Sequence, residues 1–215
     1  MIYPQDDNAD KLIDRMPPEW LVLDIGGWAK TMPRANAVID IQPYETRTKR
    51  RPEDEYFSKE NWIIMDFGGS MEYRLPFDDH FFDFVWCQQT LEDIANPFKL
   101  MREMQRVAKA GFIEIPNREI ESAIGIDSLN FPGYCHHRWC GELIGSGDNM
   151  EFVLTMKSPF ISQYGLCEVP DKRNLGFVWD GSFNFSENVL LTKEAIIQDI
   201  IDFKNIRRFG QAGVY

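Results

Sequence analysis

The sequence predicts an α/β fold with a mostly parallel sheet, on three observations. Apolar runs at residues 20–25, 37–41, 62–66, 81–87 and 111–115 lack polar alternation, as strands buried on both faces require. Gly or Pro closes most of these runs, which ends a strand and starts a connection. A clear helix pattern lies between the fourth and fifth runs, so strand, crossover and strand repeat along the chain.

Each element has its own reason. A short helix is expected from Asp10 to Met16, stopped by Pro17-Pro18. The first strand ends in Asp24-Ile25-Gly26-Gly27, the second stops before Pro43, and the third runs into Gly68-Gly69. The central helix has Asn96 as N-cap, Pro97 at its first position and Gly111 beyond its end. Phe98, Met101, Met104 and Val107 give that helix one apolar stripe. Further on, residues 138–144 and 150–157 flank Gly145-Ser146-Gly147-Asp148-Asn149, a hairpin composition, and the hairpin is expected to complete the sheet. Residues 165–188 carry no clear pattern. Residues 192–209 read as a helix with Ala195, Ile196, Ile197, Ile200, Ile201 and Phe203 on one side.

Length and composition bound the function. The chain has 215 residues and a net charge of -11, which fits one domain, 1–215. Phosphate-backbone binding relies on a basic surface, so nucleic acid is not the expected partner. No apolar run is long enough for a membrane span, and no basic leader precedes an apolar stretch, so the expected location is the cytoplasm. Cys87, Cys135, Cys140 and Cys167 are then expected as free thiols.

Open parallel sheets bind ligands beyond the carboxyl ends of their strands. Acids stand there on three successive runs: Asp24, Asp40 and Asp66. A carboxylate at the end of the second strand suits ribose hydroxyls, and one at the end of the third lies within reach of an adenine amino group. Gly26 and Gly27 let the backbone approach a ligand. The loop Gly26-Gly27-Trp28-Ala29-Lys30-Thr31 lacks the later glycines of a dinucleotide fingerprint and is short for a phosphate-binding helix. That counts against a nicotinamide-dependent oxidoreductase. A ligand with ribose and adenine but no pyrophosphate fits better, and S-adenosylmethionine is one.

The motifs carry a resemblance. Val22-Leu23-Asp24-Ile25-Gly26-Gly27, then Leu75-Pro76-Phe77 with Phe82-Asp83, Leu91-Glu92-Asp93, and Glu103 through Gly111 resemble class I S-adenosylmethionine-dependent methyltransferases of the type 11-like group. The resemblance covers residues 20–117. It implies a Rossmann-like fold, a mostly parallel seven-stranded sheet with helices on both faces and a C-terminal antiparallel hairpin. It also implies that residues 20–117 hold S-adenosylmethionine, while 118–215 supply acceptor-side elements and complete the sheet. Asp24, Gly26 and Gly27 would line the amino-acid portion of the cofactor. Asp40 would take the ribose, Asp66 the adenine edge, and Cys87 with Gln88 the methionine end. The sequence departs from the family at Trp28, in place of a third glycine, and at Asp93, in place of a histidine. The stretch from Asp66 to Leu75 is long, which makes Glu72 an alternative adenine contact. A non-catalytic cofactor-binding relative is the alternative those departures leave.

The expected acceptor is a small polar molecule such as a sugar, methylated on a hydroxyl. His136 and His137, in Tyr134-Cys135-His136-His137-Arg138-Trp139, are the candidate catalytic bases. Cys135, His136, His137 and Cys140 lack zinc-ribbon spacing, so no metal is expected. Arg47, Lys49, Arg50 and Arg51 read as a solvated basic run, with contact to an anionic acceptor as the alternative. Glu114, Glu119 and Glu121 are weaker candidates for holding a polyhydroxylated acceptor.

Overall fold

The computed structural model describes residues 1–5, 9–47, 55–69, 72–157 and 174–210. Lys49, Arg50, Arg51 and Cys167 lie outside the described residues.

The five apolar runs form adjacent parallel strands of one sheet. They are β2 (Val22–Ile25), β3 (Ala37–Asp40), β4 (Trp62–Ile64), β5 (Phe82–Gln88) and β6 (Ala108–Pro116). Two more strands complete it on the β6 side: β9 (Asn174–Asp180) and β1 (Ile2–Gln5). The order is β1-β9-β6-β5-β2-β3-β4, with β9 antiparallel to both its neighbours. Chain order reverses between β2 and β5, so the topological switch point, where such sheets take ligands, lies beyond Ile25 and Gln88.

Side chains of alternate residues build two cores. Leu23, Ile25, Val85, Ile113 and Phe177 face helix α2 (Pro97–Val107), whose Leu100, Met101, Met104 and Val107 are fully buried. Val22, Val38, Phe84, Trp86 and Phe112 face the other way, under helix α1 (Ala9–Asp14) and the loops bearing Met32, Ala35 and Phe57. The connection from β2 to β3 contains no helix.

Asn96 caps α2 as expected, its Oδ1 accepting from Lys99 N–H at 3.0 Å. The helix ends at Val107, earlier than its sequence pattern suggests, and Gly111 is a residue of β6. A Cβ there would lie 2.6 Å from Val85 Cγ1 and 2.7 Å from Trp179 Cζ2. The glycine therefore serves strand packing and not helix termination.

The expected hairpin forms from β7 (Trp139–Ile144) and β8 (Glu151–Met156), paired Ile144 with Glu151. It does not complete the large sheet. It joins β10 (Asn184–Asn188) in a separate three-stranded sheet, order β10-β8-β7. Gly141 of β7 packs so closely on the large sheet that a Cβ would lie 2.3 Å from Ile115 Cδ1. Helix α3 (Arg118–Glu121) follows β6, and its Arg118 bonds Glu142 at 2.5 Å and pairs with Asp199 of helix α4 (Lys193–Gly210). In α4 the expected apolar side divides. Phe203 is buried against Cys140 and Ile200 is half-buried, while Ile197 and Ile201 are exposed.

Candidate active site

The crevice at the switch point is built from the ends of β2, β3 and β5. Gly26 takes φ +78°, a region glycine enters without strain. The Thr90 side chain fills the space beside it, and a Cβ on Gly26 would fall 1.9 Å from Thr90 Oγ1. Thr90 Oγ1 donates within 3.3 Å of Ile25 O and Gln88 O, which ties the ends of β2 and β5 together.

Asp24 is buried behind this turn. Its Oδ2 accepts from Met32 N–H at 2.8 Å, pinning the helix-free connection to the strand end. Burial drives its pKa up to about 7, the Met32 N–H opposes that rise, and the neighbouring Asp40 charge adds to it. Gly27 sits against it, since a Cβ there would lie 2.3 Å from Asp24 Oδ2.

Asp40 ends β3 with both oxygens engaged, Oδ2 by Trp28 N–H at 2.9 Å and Oδ1 by Gln42 N–H at 2.8 Å. Burial raises its pKa while those two donors lower it. The Trp28 indole N–H donates to Thr46 Oγ1 at 3.1 Å, so the Trp28 loop folds across Asp40. Asp66 is exposed and accepts from Gly69 N–H at 2.9 Å, capping its own turn. Cys87 is buried in the apolar core with a pKa raised first by burial, so it lies within the wall and not at its surface. Gln88 is half-buried, and its amide donates to Glu114 Oε1 at 2.5 Å. Glu114 also accepts from Asn174 at 3.1 Å.

Two other readings of charged residues change. Arg47 is buried, paired with Glu55 at 2.5 Å and stacked 3.8 Å from the Tyr44 ring centroid, so it is a packed residue and not solvated surface. Glu121 is fully buried and committed. Its Oε1 lies 2.7 Å from His137 Nδ1, and its Oε2 accepts from Lys157 Nζ at 2.6 Å.

His136 and His137 come together with Asp93. Each Nε2 lies 3.8 Å from Asp93 Oδ1, and the two rings are 4.5 Å apart. Backbone bonds place this group beside the crevice. Asp93 N–H donates to Thr90 O at 3.2 Å, and Glu92 O accepts from Arg138 N–H at 2.7 Å and Trp139 N–H at 3.2 Å. Glu92 itself is buried, and neither side-chain oxygen has a hydrogen-bond partner among the described residues. Burial holds its pKa well above the carboxylate range, with Asp93 and Glu121 adding to the rise. Sequence reasoning missed Thr90, Glu92 and Lys157. The only hint was that Leu91-Glu92-Asp93 follows a strand end.

Residues 28–113 match the family model described as a methyltransferase domain. The match covers 86 of the chain's 215 residues, two-fifths of it. This match supports the sequence reading of a class I S-adenosylmethionine-dependent methyltransferase, and S-adenosylmethionine as its cofactor. No curated protein matches the chain. Solved structures similar to it include the YcgJ protein from Bacillus subtilis, at 23% identity and TM-score 0.37 over 50% of each chain. Another is a SAM-dependent methyltransferase from Aquifex aeolicus, at 21% identity and TM-score 0.35 over 50% of this chain and 63% of the other. A SAM-dependent methyltransferase described as a possible histamine N-methyltransferase, from Thermotoga maritima, aligns over 80% of this chain and 86% of the other. Its identity is 11% and its TM-score 0.40. The chain spans about half to two-thirds of the length of the first two.

At the switch point, the acid that ends β3 keeps acceptor capacity of the kind such a cofactor uses. A carboxylate has about four lone-pair sites, and the backbone uses two of those on Asp40, which leaves acceptors for ribose hydroxyls. Gly26 and Gly27 place no side chain at the end of β2.

Proposed function

We propose that the protein transfers the methyl group of S-adenosylmethionine to a hydroxyl of a small polar acceptor, such as a sugar. The observation that carries this is the coincidence of the methyltransferase-domain match with the crevice at the switch point. The cofactor supplies a methyl group on a sulfonium, which an oxygen displaces in line, so positioning is the protein's main contribution.

In this reading residues 20–117 hold the cofactor within a single domain, 1–215, and residues 118–215 receive the acceptor. The backbone at Gly26 and Gly27 borders the amino-acid portion, with Asp24 fixing the loop behind it. Asp40 accepts from the ribose hydroxyls, Asp66 faces the adenine edge, and Gln88 borders the methionine end with Cys87 supporting it from the core. His137 has the geometry of an oriented base: Glu121 holds Nδ1, so Nε2 keeps the lone pair that takes the acceptor's hydroxyl proton. His136, exposed beside it, contacts the acceptor. The net charge of -11 supports a small molecule over nucleic acid as acceptor. We place this activity in the cytoplasm, which the free thiols of Cys87, Cys135 and Cys140 support.

Two measurements test the proposal. S-adenosylhomocysteine is expected to raise the melting temperature of the wild type and not of Asp40→Ala. Labelled methyl is expected to enter small polar metabolites, with His137→Ala slowing transfer by about 100-fold or more while the stabilisation persists. A wild type that S-adenosylhomocysteine does not stabilise would overturn the cofactor assignment. Full turnover in both His136→Ala and His137→Ala would overturn the acceptor side.

A further inference from the structure

The Asp93, His136 and His137 group has a feature that acceptor binding alone does not explain. Glu121 is fully buried, and both its oxygens are engaged, one by Lys157 and one by His137 Nδ1. A carboxylate oxygen only accepts, so Nδ1 donates to Glu121, and that bond fixes the ring with Nε2 3.8 Å from Asp93 Oδ1. The His136 Nε2 stands at the same 3.8 Å from the same oxygen. Two imidazole nitrogens and a carboxylate oxygen thus converge within 4.8 Å of one another.

The rest of the surroundings agree. Glu121 stands behind His137 as an outer partner that fixes tautomer and ring direction, the usual arrangement behind a metal-bound histidine. Lys157 is spent on Glu121 and on Tyr134 O at 2.7 Å, so its charge is turned away from Asp93. Next in the chain, Glu92 is another buried acid, and its carboxylate has no hydrogen-bond partner among the described residues. His136 is 65% exposed and Asp93 42%, which leaves the group open to solvent on one side.

We propose that Asp93, His136 and His137 bind a divalent transition-metal ion of the zinc class, with at least one coordination position open toward the acceptor side of the crevice. Two imidazoles and one carboxylate select zinc, cobalt, iron or nickel over magnesium or calcium, which take oxygen ligands. Bond lengths of about 2.0–2.2 Å put tetrahedral ligand atoms about 3.3 Å apart. Small rotations of the exposed Asp93 and His136 side chains, toward the buried His137, close the difference from 3.8 Å. The sequence carried no metal expectation, because Cys135, His136, His137 and Cys140 lack zinc-ribbon spacing; Cys140 is indeed buried against Phe203, and the third ligand, Asp93, comes from a different loop. With the ion bound, the role given above to the His137 Nε2 lone pair passes to the metal: the nitrogen becomes a ligand, and an acceptor hydroxyl on the open position becomes more acidic, as metal-bound water does.

Metal binding can be measured without cofactor or acceptor, so it stands or falls separately from the methyltransferase reading. Untagged, metal-stripped full-length protein would be titrated with Co²⁺ by visible absorption, and with Zn²⁺ in competition with a chromogenic chelator. One equivalent is expected, with a four- or five-coordinate cobalt spectrum. His136→Ala, at an exposed position that the fold tolerates, and Asp93→Asn should each weaken binding by about 100-fold or more. Glu121→Gln should weaken it by about 10–100-fold. His80→Ala and Cys135→Ser, both at exposed positions, should leave it unchanged. No stoichiometric uptake by the wild type overturns the proposal. Undiminished affinity in His136→Ala, or loss in Cys135→Ser, overturns it as well.

Discussion

Asp24→Asn isolates the energetic consequence of burying an acid at the head of the crevice. The Asp24 carboxyl has its pKa raised from 3.8 to about 7, first by burial, against the Met32 N–H. A raised acid binds its proton more tightly in the folded chain, so the stability it contributes is complete below about pH 4 and is lost as pH rises toward 7. Between pH 5 and pH 8 the unfolded chain is ionised throughout, while the folded carboxyl gives up its proton near pH 7. Each pH unit below that point is worth about 1.4 kcal/mol, so this one group removes about 3 kcal/mol of stability across the interval. Asparagine keeps an oxygen for Met32 N–H and does not ionise. Urea unfolding of both proteins at pH 5 and pH 8 is the assay. The stability of Asp24→Asn relative to wild type should rise by about 3 kcal/mol from the lower to the higher pH. Parallel pH profiles for the two proteins would refute the reasoning.

Other outcomes follow from the same geometry. Gly26→Ala forces a side chain into φ +78° and onto Thr90 Oγ1, and should cost about 2–5 kcal/mol in unfolding free energy. Adding Thr90→Ala should recover only the steric part, leaving about 1–2 kcal/mol. Gly133→Ala, at φ +60° with a Cβ 2.5 Å from Glu121 Oε2, should lower stability by about 2–4 kcal/mol, read by chemical denaturation. Arg106 bridges Leu75 O at 3.0 Å, Phe77 O at 2.8 Å and the buried Glu103 at 2.7 Å. Arg106→Met leaves that acid with only Leu75 N–H at 2.8 Å and Lys99 at 4.0 Å, and should cost about 2 kcal/mol, with a matching fall in melting temperature.

The parallel strands were legible because burial on both faces demands unbroken apolar runs, and the Asn96-Pro97 pair marked α2 by its capping chemistry. β1 and β9 were not. β1 reads Ile-Tyr-Pro-Gln and owes its form to a partner more than 170 residues away. β9 contains Gly176, required only because the Phe112 ring lies 3.3 Å from where its Cβ would stand. Gly111 misled for a related reason, since a glycine after a helical stripe looks like a terminator until Trp179 is packed on it. At the site, the acids ending β2 and β3 could be located from strand position alone. What each acid touches could not, because Asp40 meets the Trp28 backbone only after the loop folds back. The pairing of Glu121 with His137 and Lys157 joins residues 16 and 36 positions apart, with no local pattern to signal it.

The antiparallel strand that covers β6 bears on how the chain emerges from the ribosome. β6 pairs with β5 as soon as both are made, but its other edge waits for β9, roughly 60 residues later. At about 5–20 residues per second, that interval lasts several seconds. During it, a nine-residue strand containing Phe112, Ile113 and Ile115 presents open backbone donors and acceptors. The growing chain is therefore most exposed to mispairing with its neighbours in this window, and a chaperone that covers the β6 edge until Asn174 arrives would raise the yield of native protein.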